Sequence, residues 1–141
     1  YPKRRGMTRV PEMLAAGIPV AFGHDCVMDP WYSLGSGDML EVAHMGLHVA
    51  QMTGQQAMHE CFLAVTETPA AILGLDGYGI APGCHADLLI LDCGSTVEAL
   101  RLRAARRLVL RRGKVVSEAP RAQSRLHLPG RPESVNFRLG R

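Results

Sequence analysis

Residues 18–31 read Ile18-Pro-Val-Ala-Phe-Gly-His-Asp-Cys-Val-Met-Asp-Pro-Trp31, an apolar run that stops abruptly at His24 and Asp25 and continues into a polar loop. The apolar stretch 18–23 predicts a short strand of a parallel sheet whose two faces are covered by helices. Catalytic groups of alternating β/α barrels lie where a strand's carboxyl end meets its loop. Asp25 is therefore a candidate metal ligand or proton-transfer carboxylate. The alternative is that Asp25 only caps a turn.

Length and composition predict one ordinary globular core. The chain has 141 residues, of which 47% are hydrophobic and 21% charged, and its net charge is +3. No apolar run approaches the ~20 residues that a membrane helix needs, so we expect no membrane partner. The basic start at 1–6 has no apolar segment behind it and does not predict an export signal.

The four cysteines indicate a reduced, cytoplasmic protein, because none of them stands in a Cys-x-x-Cys pair. They are Cys26, Cys61, Cys84 and Cys93. Cys26 lies beside His24, and a cysteine nucleophile needs a histidine base. Neighbouring strand residues point to opposite faces, however, which disfavours that pairing.

Hydrophobic periodicity and the Gly and Pro positions predict a strand, then helices, and then a small β unit. The predicted order is a helix over 8–16, a strand over 18–23, a helix from the N-cap Asp38 to Met52, helices over 56–65 and from the N-cap Thr68 to Leu73, a turn over 77–83, a strand over 86–92, a helix over 97–105, and a hairpin over 107–117 turning at Arg112-Gly113.

Glu41, His44 and His48 fall on one face of the long predicted helix, so they are a second candidate metal set. The spacing differs from the zinc-protease signature, in which the general-base glutamate lies between the two histidines. Their flanks are densely apolar. Histidines hydrogen-bonded within a core are therefore the favoured interpretation.

The stretch from Arg101 to Lys114 is locally basic and invites comparison with a phosphate-binding surface. It has no interleaved aromatic residues on which bases would stack. Charged side chains that protect a sheet edge are the better interpretation, and we expect no nucleic-acid partner.

The glycine-rich stretch Gly77-Tyr-Gly-Ile-Ala-Pro-Gly83 has the composition of a loop that cradles phosphate. It lacks the Gly-Lys-Ser/Thr ending of such loops, and no predicted helix follows it. A turn between a helix and a strand is therefore favoured.

Two segments identify a family resemblance. Thr68-Pro-Ala-Ala-Ile-Leu-Gly-Leu, continued by Tyr78-Gly-Ile-Ala-Pro-Gly-Cys-His-Ala-Asp-Leu-Leu-Ile-Leu-Asp92 and Leu110-Arg-Arg-Gly-Lys-Val-Val116, resembles the C-terminal end of amidohydrolase-superfamily enzymes. Four shorter motifs resemble those of bacterial cytosine deaminase and its close relatives: Tyr1-Pro-Lys-Arg-Arg-Gly6, Phe22-Gly-His-Asp25, Asp29-Pro-Trp-Tyr32 and His44-Met-Gly-Leu-His48.

The resemblance implies an α/β fold, namely the C-terminal part of a metal-dependent (β/α)8 barrel hydrolase followed by part of a small β-sandwich. Residues 1–76 would supply the last barrel strand and the C-terminal helices. Residues 77–119 would supply the sandwich portion, and residues 120–141 would form an extended tail.

The resemblance also implies a reaction: a metal-activated water attacks the amino-bearing ring carbon of cytosine or a related amino-pyrimidine, purine or triazine, and ammonia leaves. Asp25 would bind one divalent ion (zinc or iron) and transfer protons. Trp31 would pack against the flat ring, Cys26 would contact the substrate, and His24 would orient its neighbours rather than ligate the ion.

Two departures from the family pattern qualify this expectation. Cys26 stands where the family usually has a second acidic residue, which favours a substrate other than cytosine. The chain also lacks the family's His-x-His pair, its two further histidine ligands and its ring-protonating glutamate.

We therefore expect the remaining ligands and the N-terminal barrel portion to lie outside this chain, and the chain alone to be inactive. The parent enzyme is expected to be a homo-oligomer. The alternative is a non-catalytic binding or assembly module derived from an amidohydrolase.

Overall fold

The computed structural model describes residues 6–134 and contains helices followed by a small sheet. The elements are α1 (Val10–Ala15), α2 (Met39–Val49), α3 (Gln55–Leu63), α4 (Glu67–Ile72), β1 (Leu88–Leu91), α5 (Thr96–Leu102), β2 (Arg106–Arg111) and β3 (Lys114–Glu118). These eight elements follow one another in the predicted order, but the strand predicted over 18–23 is not among them. None of the helices in this part of the chain is long and apolar enough to cross a membrane.

The start of α2 is determined by Asp38. Its carboxylate accepts hydrogen bonds from the backbone N–H groups of Leu40 at 2.8 Å and Glu41 at 3.3 Å. These donors have no partner within the helix, which is why a carboxylate is favoured at the N-cap. The Arg106 guanidinium also pairs with this carboxylate and ties the start of α2 to β2. The predicted N-cap is confirmed.

Helix α4 begins earlier than predicted, because Thr66 and not Thr68 is its N-cap. Pro69 consequently lies at the third helical position. Proline is tolerated throughout a first turn, since the N–H groups there lack helical partners in any case. The Thr68-Pro69 pair was therefore an ambiguous start signal.

The core lies among α2, α3 and α5, which pack against one another. Ala43 of α2, Cys61 of α3 and Leu100 of α5 are completely buried at this junction. Burial raises the pKa of the Cys61 thiol to about 11, so this cysteine is an inert packing residue. At the start of α5, the buried Glu98 accepts a hydrogen bond from the N–H of Gly94 at 2.9 Å.

The sheet is antiparallel, with strand order β1-β2-β3. The predicted hairpin is confirmed, with Arg111 opposite Lys114 at its turn. All of β3 is exposed, and so are Leu89 and Ile90 of β1. The described residues thus contain one layer of sheet, and the expected second layer of a sandwich is not among them.

The predicted strand over 18–23 is wrong for the described residues: the segment takes part in no ladder. A strand exists only through hydrogen bonds to a neighbouring strand, and an isolated apolar run has no such partner. The segment is instead attached to the helices through Phe22, whose N–H donates to the carbonyl of Ala64 at 2.8 Å.

Loss of the Asp38 carboxylate is expected to destabilise the fold. Asp38→Ala should lower the free energy of unfolding by about 1 kcal/mol, the usual cost of a lost N-cap. Asp38→Asn keeps an acceptor for the helix and should cost less. Urea titration of both variants measures this, with Asp76→Ala, an exposed aspartate after α4, as the control.

The same carboxylate makes stability depend on pH. Burial by itself raises the pKa of Asp38. The hydrogen bonds from Arg106, Leu40 and Glu41 together lower it by more than burial raises it, so the pKa lies below its usual 3.8. The stabilisation is therefore present above pH 3.8 and is lost as the pH falls through the lower folded-state value. Equal acid sensitivity of wild type and Asp38→Asn would contradict this assignment.

Candidate functional site

The predicted site residues meet in one open cleft of about 590 Å³. His24, Asp25 and Cys26 line it from the chain segment before the loop, and Trp31 lines it from within the loop. The opposite wall comes from the N-terminal half of α2, including Glu41. The structure thus brings together residues that the sequence placed in one motif, next to a helix face that the sequence did not assign to it.

The segment that carries Asp25 is held against α2 by Phe22. A Cβ atom at Gly46 would lie only 2.6 Å from the Phe22 ring, so the ring packs directly on the backbone of α2. Asp25 itself has a φ of +62°, in the left-handed region. Aspartate is among the few non-glycine residues that adopt this region readily. The carboxylate is exposed on the cleft.

Asp29 organises the tip of the loop that follows. Its carboxylate accepts from the N–H of Trp31 at 2.9 Å and from that of Tyr32 at 3.0 Å. The pKa of this carboxyl lies below its ordinary value, first because the Cys26 side chain hydrogen-bonds to it and then because of the backbone donors. The Trp31 residue is 90% exposed, so its indole face is open to a flat ligand.

The histidine rings in and near the cleft contact backbone carbonyls or other rings. His24 Nδ1 faces the carbonyl of Cys26 at 3.0 Å, not the thiol, so no nucleophile–base pair forms there. His44 Nδ1 faces the Leu100 carbonyl at 3.0 Å, and its ring meets that of His48 edge to face. Glu41 points elsewhere and accepts from the Ser36 hydroxyl at 2.5 Å.

Between residues 6 and 134, no group of three or more His, Cys, Asp or Glu side chains is arranged to hold a metal ion. The interpretation as a hydrogen-bonded core histidine fits His44, which is half-buried and faces the Leu100 carbonyl, but not His48, which is exposed.

The basic stretch and the glycine-rich stretch both have structural roles. Arg106 pairs with Asp38, Arg111 pairs with Asp87, and Arg107 donates to the carbonyl of Ala119. Residues 77–83 form a turn region between α4 and β1, and no helix follows them directly. The interpretation of 77–83 as a turn fits the structure. The edge-protection interpretation is wrong for Arg106, Arg107 and Arg111, because β2 is the central strand of the sheet and these side chains pair with groups outside it.

The sequence assigned Glu41 to the wrong group. It was considered with His44 and His48, whereas in the structure it contributes to the cleft wall. The signal was present, because Asp38-x-x-Glu41 has the spacing of a helix N-terminus and so places Glu41 in the first turn, beside the loop.

A model of the amidohydrolase family matches residues 1–117. The chain therefore belongs to the amidohydrolase family.

Three relatives show which amidohydrolases this one is similar to. A curated pterin deaminase of Rhizobium rhizogenes is 34% identical over 119 residues, which is 84% of this chain and 27% of that protein. A 5-methylcytosine deaminase of Klebsiella pneumoniae, solved with phosphonocytosine, superposes with a TM-score of 0.80 at 41% identity and covers 92% of this chain and 31% of that one.

The third relative is N-isopropylammelide isopropylaminohydrolase of Burkholderia multivorans. It superposes with a TM-score of 0.77 at 35% identity, covering 83% of this chain and 30% of that one. This amidohydrolase thus spans under a third of the length of each of these relatives. Two of the three are named as deaminases and the third as an aminohydrolase.

Deaminases of this family depend on a metal ion, and the residues present fit such an ion only in part. The Asp25 carboxylate is exposed on the cleft and can supply an oxygen ligand. Both ring nitrogens of His24 already face backbone groups, Cys26 and Gly37. A catalytic ion needs three protein ligands or more, so the described part of this amidohydrolase holds no complete set.

Replacing Gly46 tests the attachment of the Asp25 segment to α2. A helix-interior Gly→Ala change normally stabilises a protein by about 1 kcal/mol. Here the added methyl would strike the Phe22 ring, so we expect Gly46→Ala to destabilise the fold by about 1–3 kcal/mol. Thermal unfolding measures this. Gly23→Ala is the control, because a Cβ there meets nothing within 4 Å; a stabilised Gly46→Ala would contradict the packing.

Proposed function

We propose that this chain is the C-terminal portion of a metal-dependent deaminase acting on an amino-pyrimidine or a related amino-substituted ring. The observation that carries the proposal is the cleft, which Asp25, Cys26 and Trp31 line together. Its size suits a small flat heterocycle. The names of the relatives, which include pterin and 5-methylcytosine deaminases, support the same substrate class.

In this proposal Asp25 is one ligand of a single divalent ion, zinc or iron, and is the group that moves protons. When bound, such an ion lowers the pKa of water towards neutrality. The exposed carboxylate of Asp25 can accept a proton and deliver it to the leaving amino group. Its place after an anchored segment, with Phe22 packed on α2, limits how far it can move.

The other site residues bind the ring. Trp31 offers an exposed indole face for stacking, and aromatic pairs of this kind contribute about 0.5–1.5 kcal/mol beyond burial. Cys26 puts a thiol at the position where the family usually has a second carboxylate. A thiol attracts the polar edge of a ring less than a carboxylate does. This difference supports a ring that carries an additional substituent, such as 5-methylcytosine, over cytosine itself.

The remaining ligands and the rest of the barrel belong, in this proposal, to a longer polypeptide. The chain covers 31% of the Klebsiella enzyme, and a complete barrel alone takes ~250 residues. Residues 1–76 would contribute to the barrel, 77–119 to a β-sandwich and 120–141 to an extended tail. That longer polypeptide would also supply the sheet neighbours of the 18–23 segment. Copies of it would form the homo-oligomer.

The second candidate is a binding or assembly module without catalysis, favoured by the incomplete set of metal ligands among the described residues. The two are separated by supplying the missing barrel, either from the chain's own upstream reading frame or from the matching part of the Klebsiella enzyme. Ammonia release that depends on added metal supports the deaminase. Its absence, in a folded protein that contains a His-x-His pair, supports the module.

Within an active protein of that kind, Asp25→Asn should reduce kcat by about 10²- to 10⁴-fold, the usual range for a lost proton-transfer group. Trp31→Phe is the milder control, because it keeps an aromatic face and should act mainly on KM. Full activity of Asp25→Asn would remove Asp25 from the chemistry.

The chain by itself is expected to be inactive. One carboxylate cannot hold a catalytic divalent ion unaided, so the purified 141-residue chain should release no ammonia from cytosine or 5-methylcytosine with added zinc or iron. A coupled ammonia assay against a blank of metal alone measures this. Steady release above that blank would refute the expectation.

Cys26→Asp should shift the preference of the active protein towards cytosine. We expect the ratio of kcat/KM for 5-methylcytosine over cytosine to fall by about tenfold or more, because a buried polar contact discriminates strongly. The new carboxylate would face Asp29, so Cys26→Asp with Asp29→Asn is the matched variant that removes the repulsion. An unchanged ranking in both variants would show that position 26 does not select the substrate.

A further inference from the structure

The His24 ring joins the two ends of the loop 26–37. Its Nδ1 lies 3.0 Å from the carbonyl oxygen of Cys26, and its Nε2 lies 3.2 Å from the backbone nitrogen of Gly37. A backbone N–H can only donate, so Nε2 must be the unprotonated acceptor. Nδ1 then carries the hydrogen and donates to the carbonyl. The contacts therefore select one neutral tautomer and occupy both ring nitrogens.

The returning part of the loop is packed against this ring. A Cβ atom at Gly35 would lie 2.7 Å from His24 Cε1 and 2.4 Å from the Cys26 carbonyl oxygen. Gly35 is buried, whereas Ser36 and Leu34 on either side of it are exposed. Only a residue without a side chain fits there, so the base of the loop is closed around the imidazole.

The tip of the loop has the opposite character. Met28 is 78% exposed, Trp31 90% and Leu34 77%. Asp29 holds the local turn at this tip, but the backbone N–H groups that its carboxylate binds, those of Trp31 and Tyr32, lie within the loop. The position of the tip relative to the cleft therefore depends on how the base is closed.

We propose that His24 is a positioning residue that closes the base of the loop 26–37 and thereby places Trp31 and Cys26 beside the cleft. It acts through Gly37 and the Cys26 carbonyl, and it neither ligates a metal ion nor transfers a proton. Its effect on substrate binding rests on the proposed function; its effect on the loop does not.

The loop can be tested in the full chain, because Trp31 is its single tryptophan. Fluorescence anisotropy and lifetime of Trp31 report its local motion. His24→Ala removes both contacts and should lower the anisotropy. His24→Gln can still offer an acceptor towards Gly37, whereas His24→Asn reaches only the near carbonyl. We therefore expect the anisotropy of His24→Gln to lie closer to wild type than that of His24→Asn.

Two further variants keep the test decisive if His24→Ala does not fold, as judged by circular dichroism. Gly35→Ala keeps the histidine but adds a methyl group against the Cys26 carbonyl and the imidazole. It should therefore open the base of the loop from the other side and lower the Trp31 anisotropy as well. His59→Ala is the matched control, since it removes a half-buried histidine that contacts Thr96 and lies outside the loop. It should leave the anisotropy unchanged.

The tautomer gives an independent signature. A proton–nitrogen correlation spectrum of the wild-type imidazoles at pH 8 should show His24 with Nδ1 protonated and Nε2 bare. A proton on Nε2, or unchanged Trp31 anisotropy in folded His24→Ala and Gly35→Ala, would overturn the proposal.

The catalytic consequence is read in the protein with the complete barrel. His24→Gln should raise KM by about tenfold while kcat changes less than about threefold, because misplacing a binding loop weakens substrate positioning. A large fall in kcat at constant KM would assign His24 to the chemistry and overturn the proposal. If the wild-type protein shows no deaminase activity, the proposed function fails, while the anisotropy and the tautomer still decide the role of His24.

Discussion

The contact between the Phe22 ring and the backbone of α2 at Gly46 is the constraint on which the site depends. Helix α2 is held by the buried junction with α3 and α5, and Phe22 transmits that rigidity to the segment carrying Asp25. The hydrogen bond from Phe22 to Ala64 fixes the segment in a second direction. Within residues 6–134, an exposed carboxylate is thereby held on the cleft by a helix contact and one backbone hydrogen bond.

The loop beyond Asp25 shows how a polar segment can be ordered with little burial. Side-chain acceptors replace backbone pairing: Asp29 serves the tip, His24 serves the base, and Asp38 caps the helix that follows. Each acceptor satisfies backbone N–H groups that no regular element would otherwise pair. These side-chain acceptors, together with the close packing at Gly35, order the loop, and Trp31 can remain exposed and available to a ligand.

Much of the fold could be predicted because its signals are local. Asp38 as N-cap, the buried face of α2 and the hairpin around Arg112-Gly113 follow from residue types and short spacings. The errors arose where a residue's state depends on distant partners. The apolar 18–23 segment resembles a strand in every local respect, yet it has no neighbour to pair with in the described chain. Thr66 and Thr68 are locally almost equivalent as caps.

The sequence by itself determined the amidohydrolase family, the helical order and the short motif that unites His24, Asp25, Cys26 and Trp31. Only the tertiary structure decided what surrounds that motif. In the structure the His24 ring contacts the backbone of Cys26 and Gly37. Glu41 lines the cleft, whereas His44 faces the carbonyl of Leu100. The physical reason is that hydrogen-bond partners far apart in the chain are chosen by packing, and periodicity carries no information about them.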